Sequence, residues 1–139
     1  MFILDTNVVS ELRKARTNRA NANVVAWAGS VDASSMFIST ITVFELEKGI
    51  LQVMRRDGSQ GRLLREWMDR HVMPEFRGRI LPIDTAVALQ CARLHVPDQR
   101  SEADALIAAT AMVHGMTVVT RNIADFEPTG VHLINPWEH

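Results

Sequence analysis

"MFILDTNVVSEL", residues 1–12, decides the fold. Phe2, Ile3 and Leu4 are apolar in succession, with no alternation. That is the pattern of a strand covered on both faces, as in a parallel sheet between helices. The run stops on Asp5, and "TNVVSELRK" continues with helical periodicity. A carboxylate at the point where a buried strand gives way to a helix has two readings. Asp5 could cap the helix, or it could be one wall of a metal site whose other walls lie far along the chain.

The same alternation recurs downstream. Strands are expected at 36–40 ("MFIST"), 79–83 ("RILPI"), 117–120 ("TVVT") and 131–135 ("VHLIN"). Helices are expected at 24–31, 42–57, 62–76, 85–96 and 102–114, the last closed by Gly115. "ARTNRANAN" reads as a polar connector, "GSQG" at 58–61 as a break, and Pro97 as the end of the segment at 85–96. Val43, Leu46, Ile50, Val53 and Met54 form one apolar stripe. Leu63, Leu64, Trp67, Met68, His71 and Val72 form another. Strands alternating with helices imply an α/β fold with a parallel sheet. The 139 residues suit one domain, 1–139.

Composition excludes several classes. Charged residues make up 22% and hydrophobic residues 47%, as in an ordinary globular chain. No apolar run approaches the ~20 residues of a membrane helix, and residues 1–12 do not read as a signal peptide. Cys91, the single cysteine, lies in a helical pattern and reads as packing. A cytoplasmic location is the resulting expectation. A net charge of −1 argues against broad nucleic-acid binding through charge alone. Thirteen of the fifteen basic residues are nonetheless arginine, the side chain suited to bidentate phosphate contact.

Four acids stand out: Asp5, Glu45, Asp104 and Asp125. Each has a structural reading. Thr42-x-x-Glu45 has the form of a capping box, Ser101-x-x-Asp104 is close to one, and Asn122-x-x-Asp125 could open a short turn. Such roles would contribute on the order of 1 kcal/mol each. Taken together, the acids suggest more, because a parallel sheet gathers its strand ends and the following helix starts on one edge, where ligands bind. Clustered carboxylates repel unless protonated or neutralised by a cation, and an all-oxygen donor set favours Mg²⁺ or Mn²⁺. Zinc is disfavoured, since no cysteine or histidine pair has ligand spacing. Thr6, Ser39 and Thr120 offer hydroxyls that could orient the acids. His71, His95, His114 and His132 read as satisfied or surface histidines, Trp27 and Trp67 as core or interface. Ala108, Ala109 and Ala111 read as close helix packing beneath the site.

"ILDTN", "ISTITVFELEKG" and "DALIAATAMVHGMTVVTRNIADF" resemble, in order and spacing, the three signature blocks of PIN domains. The likeness is greatest to VapC-type toxin ribonucleases, and within them to the FitB-like branch, through "RILPID" and "INPW". It runs from Phe2 to Trp137. It implies an α/β/α sandwich with a mainly parallel sheet of about five strands. By motif position Asp5, Glu45 and Asp104 match the family's metal-site acids. Asp125 is assigned as the fourth, because Asn122 stands where many relatives carry an acid; Asn122 could instead hold a metal-bound water. The implied activity is Mg²⁺-dependent hydrolysis of RNA phosphodiester bonds, with Mn²⁺ substituting. Asn7 and Arg121 would lie beside the acids, and Arg121 could neutralise phosphate charge or, the preferred reading, pair with an acid. The resemblance also implies a homodimer through helices 42–56 and 62–76. A VapB-type antitoxin would lie in the active-site groove, in a higher assembly with the dimer. A non-catalytic RNA- or partner-binding module, a DNA nuclease and a phosphatase are the alternatives; "DTN" lacks the second aspartate of a D-x-D phosphatase pair.

Overall fold

A computed structural model describes residues 1–139. Five short strands form one sheet: β1 (Phe2–Leu4), β2 (Met36–Ser39), β3 (Ile80–Leu81), β4 (Thr117–Val119) and β5 (Leu133–Ile134). Their order is β3-β2-β1-β4-β5, and every neighbouring pair is parallel. Phe2 pairs with Met36 on one side and Thr117 on the other. β1 is therefore central, as its unbroken apolar character requires.

Each strand serves two cores. Ile3 and Val118 face a cluster built with α6 (Thr85–Leu94) and α7 (Glu102–His114), including Val87, Cys91, Ile107 and Ala108. Leu4 and Val119, one residue on, face the opposite cluster. That cluster is supplied by α1 (Thr6–Arg13), α2 (Ala22–Gly29), α3 (Thr40–Arg56) and α4 (Gly58–Trp67), with a π-helical turn at Met68–Val72 and Phe76, which follows α5 (Met73–Glu75). Neighbouring residues in a strand point to opposite faces, so two helical layers cover the sheet in an α/β/α sandwich. Ala105, Ala108, Ala109 and Ala111 are fully buried, and their small side chains let α7 lie close to the sheet. Trp27 is buried, edge-on to Phe2.

Several boundaries differ from the sequence reading. "GSQG" does not separate two helices; it is the first turn of α4. The break is Asp57 alone, in extended conformation, whose side chain caps α4 through the Gln60 N–H. Gly61 explains the glycine-rich turn. A Cβ there would overlap Met54 Cγ and lie 2.6 Å from Met54 Cα, so α3 and α4 touch where only glycine fits. Met54, Leu63 and His71, placed on apolar stripes by periodicity, are exposed. α6 ends at Leu94, two residues short of expectation. α7 spans 102–114 as read, and Gly115 closes it at φ +66°.

Candidate active site

The C-terminal ends of β1 and β4 are joined by side chains as well as by the sheet. Asp5 is 5% exposed. Its Oδ1 accepts the Thr6 N–H at 2.8 Å, so it does cap α1. Its Oδ2 accepts the Thr120 hydroxyl at 2.7 Å and the Asn7 amide at 3.3 Å. Thr120 in turn accepts the Asn122 N–H at 3.0 Å. A hydroxyl has one proton to donate, and here it is committed to Asp5. Burial pushes the Asp5 carboxyl up from its ordinary range. The Thr120 and Thr6 hydrogen bonds oppose that shift, and the charges of Glu45 and Asp125 add to it.

Glu45 enters from α3. The Thr6 hydroxyl donates to its Oε1 at 2.6 Å, and the Thr42 hydroxyl lies 3.2 Å from that of Thr6. Thr6 thus contributes its backbone N–H to Asp5 and its side chain to Glu45. The capping-box reading of Thr42 and Glu45 is corrected here. α3 begins at Thr40 and is capped by Ser39, whose hydroxyl accepts the Ile41 N–H at 3.1 Å. Thr42 is inside the first turn and fully buried. Ser39 is accordingly a cap, not a support for the acids as expected. Thr42 was missed as a neighbour of the site; the threonine spacing in "STIT" was the available signal.

Asp104 and Asp125 are held differently. Ser101 occupies the N-cap position of α7 and Asn122 that of α8 (Ile123–Phe126), yet neither side chain makes a capping bond. Asp104 accepts no hydrogen bond from the chain and is half-buried. Its carboxyl is pushed up to about 6, first by burial and then by the charges of Asp5, Asp125 and Glu45. Asp125 is exposed and lines, with Asp104, Ser101 and Arg100, a cleft of about 340 Å³. Asn122 is exposed and joins the network through its backbone only.

All four acids therefore share one electrostatic neighbourhood, and none has a lysine, arginine or histidine within 4 Å. The preferred reading of Arg121 as an acid's partner is corrected: it pairs with none of the four acids, and its charge acts instead on Glu11. Its backbone N–H donates to Asn7 Oδ1 at 3.5 Å, while its guanidinium lies over the Trp137 ring, 5.3 Å from the centroid. An uncompensated set of carboxylates with only oxygen donors fits a hard divalent cation in chemistry. It does not fit one as a preformed cage, because no three of these side chains stand close enough together to hold one ion. Mg²⁺ keeps several waters when bound, so ligation by one or two carboxylates with water bridging to the others suits this spacing.

Comparison with known proteins finds relatives over the whole chain. A family model described as PIN domain matches residues 2–127. The chain is 38% identical over 143 residues to VapC ribonuclease Y4jK of Sinorhizobium fredii, covering 99% of each protein. It is 37% identical over 142 residues to Toxin FitB of Neisseria gonorrhoeae, again covering 99% of each. Among solved structures, FitAcB from Neisseria gonorrhoeae matches with a TM-score of 0.89 and 36% identity over 100% of both chains. VapBC2 from Rickettsia felis, bound to a DNA fragment from its promoter, matches at 20% identity with a TM-score of 0.72 over 96% of this chain and 97% of that one. At that identity the likeness is one of fold.

Proposed function

This chain belongs to the PIN domain family, and on that premise we propose that it is a Mg²⁺-dependent endoribonuclease, the toxin of a VapBC-like toxin–antitoxin pair. The observation that carries the reading is the set of four carboxylates, mutually repelling and without a protein cation, at the C-terminal edge of the sheet. Relatives over the full chain length bear the names VapC ribonuclease and Toxin FitB, which supports a toxin nuclease of this class.

Asp5 and Asp104 would hold the cation, with Glu45 and Asp125 around it; Mn²⁺ would substitute. Bound there, the ion would polarise the scissile phosphate and lower the pKa of a water. The chain's own residues supply positioning and proton transfer. Thr120 and the Thr6 N–H fix the Asp5 carboxylate in one orientation. Thr6 occupies Glu45 Oε1, leaving Oε2 to orient the attacking water or accept its proton. Asp125, exposed at the mouth of the cleft, is the other group able to take that proton. In-line attack on phosphorus by water, with loss of the 3′ oxygen, would leave a 5′-phosphate and a 3′-hydroxyl.

The partners follow from the same premise. An antitoxin would inhibit by placing a cationic side chain on the acids, which the chain itself leaves without one. Phe44 and Leu51 on α3 and Leu63 on α4 are 57%, 54% and 62% exposed, which supports a homodimer through these helices. No helix is long and apolar enough to cross a membrane, in keeping with action on RNA in the cytoplasm. Residues 1–139 would act as one PIN domain.

The test is to map RNA 5′-phosphate ends in cells after induced expression of the wild type and of Asp104→Asn. A few discrete ends appearing only with the wild type are expected. Identical profiles in a host that supplies the native RNA pool would contradict the reading.

A further inference from the structure

The acidic centre that makes hydrolysis possible also repels RNA, so the strand must be held by something beyond it. Two arginines are placed to do this. Arg13, at the end of α1, lies over the Trp67 ring at 5.9 Å from the centroid. It lines, with Thr6, Glu45 and Trp67, a cleft of about 250 Å³, so a strand lying on Glu45 runs directly onto it. Arg121 follows β4 and lies over Trp137; its backbone is tied through Asn7 to Asp5. β2, which leads to Glu45, and β4 flank β1 on opposite sides. Arg13 is thus linked to Asp5 through the cleft it shares with Thr6 and Glu45, and Arg121 through Asn7.

Their chemistry sets them apart from the other arginine stacked on an aromatic ring. Arg79 over Phe76 spends its guanidinium on the Ala33, Met36 and Glu75 carbonyls and the Glu75 carboxylate. Neither Arg13 nor Arg121 has a carboxylate within 4 Å or donates a side-chain hydrogen bond to the chain. The charge of Arg121 reaches Glu11 and, after the Asn21 N–H, helps hold that carboxyl down, but from beyond 4 Å; stacking on indole holds the guanidinium plane and leaves its N–H edge free. The tail that carries Trp137 is itself fixed. Asn23 donates to the Trp137 carbonyl at 2.7 Å, and Asn135 accepts the Trp137 N–H at 3.0 Å.

We propose that Arg13 on Trp67 and Arg121 on Trp137 are two phosphate-binding stations that hold the RNA backbone on either side of the scissile bond. This rests on the ribonuclease reading. The stations contribute to binding and register, not to proton transfer, and Trp67 and Trp137 act through the arginines as positioning residues.

The experiment measures the salt dependence of affinity for a short, single-stranded, mixed-sequence RNA in the Asp104→Asn background with Mg²⁺. Steady-state cleavage of the same RNA is followed in the otherwise wild-type protein. Arg13→Gln and Arg121→Gln should each reduce the slope of log K against log salt by roughly 0.7, and the double variant by about twice that. KM should rise with kcat at saturating RNA retained. Arg13→Lys and Arg121→Lys should keep the slope but weaken binding, because the charge remains and the planar fork is lost. An unchanged slope, or a loss of binding that merely follows a fallen melting temperature, overturns the inference. So does an effect confined to binding of an acidic protein partner. If the wild type cleaves the RNA while the slopes stay unchanged, the inference fails alone; if it neither binds nor cleaves, the ribonuclease reading fails with it.

Discussion

The two halves of the acidic site are built on opposite plans. Asp5 and Glu45 are locked: four hydrogen bonds from Thr6, Asn7 and Thr120 reach their oxygens, and Thr6 alone serves both. Asp104 and Asp125 are open: neither accepts a side-chain hydrogen bond, and the helix starts that carry them lack capping bonds from Ser101 and Asn122. The locked half is where β1 and β4 meet, and burial there demands satisfied oxygens. The open half lines a cleft of about 340 Å³, where its acids stand unpartnered. One half supplies a fixed reference for a ligand, and the other leaves its carboxylate oxygens free for one.

Removing the open half's central acid should have the largest functional effect. Asp104→Asn should lower RNA cleavage by at least ~100-fold, since losing a metal-holding group should exceed the usual cost of losing its support. Its melting temperature should stay the same or rise, because the variant removes a charge repelled by three others. A fall in both would show that Asp104 is a structural acid. Thr120→Val probes the locked half. It should lower cleavage by about 10–100-fold and stability by about 1–3 kcal/mol, because a buried carboxylate oxygen loses its donor. Equal activity to wild type would mean the lock does not position Asp5.

Gly61→Ala marks the contrast between site and scaffold. The added Cβ meets Met54 backbone, so the α3–α4 contact must open. A loss of about 1–3 kcal/mol is expected from denaturant unfolding, with cleavage by the folded fraction unchanged. A lost activity at full foldedness would tie the α3–α4 contact to the site.

The smallest effect is on pH dependence. Asp104 titrates at about 6 in the fold and returns to about 4 when unfolded. Between these values the folded chain holds a proton that the unfolded chain lacks. Its contribution to stability is therefore complete below about pH 4, diminishes as pH rises and is lost above about pH 6, a change on the order of 1 kcal/mol once solvent screening of this partly exposed carboxyl is allowed for. Metal-free wild type should gain stability relative to Asp104→Asn on acidification through this window. Saturating Mn²⁺, which favours the ionised form, should stabilise the wild type above it. Parallel pH profiles for the two proteins would show that Asp104 is not perturbed by its neighbours.

The sheet edge that carries Asp5 and Thr120 was legible from sequence. An apolar run ending on Asp5, and "TVVT" ending on Thr120, announce a parallel sheet edge, because strand burial leaves a one-dimensional pattern. α7 was legible to the residue, since Gly115 takes the left-handed conformation that ends it. The boundary of α3 was not: "ISTIT" offers several hydroxyl caps in a row. Ser39 takes the role because β2 delivers it in extended conformation. Nor was the Asp57 break legible, since a glycine-rich turn looks like a loop unless Met54 is known to lie against it. The destination of the Arg121 side chain depends on Trp137, which is brought beside it by tertiary packing alone.

The central claim is that the locked and open acids act together as a metal-dependent hydrolytic site. It is tested most directly by incubating purified RNA with the purified chain, with Mg²⁺ or with chelator, and comparing the wild type with Asp104→Asn. Cleavage that requires Mg²⁺, yields 5′-phosphate ends and disappears in the variant is the predicted result. Cleavage that persists in chelator, or that Asp104→Asn retains in full, would contradict it.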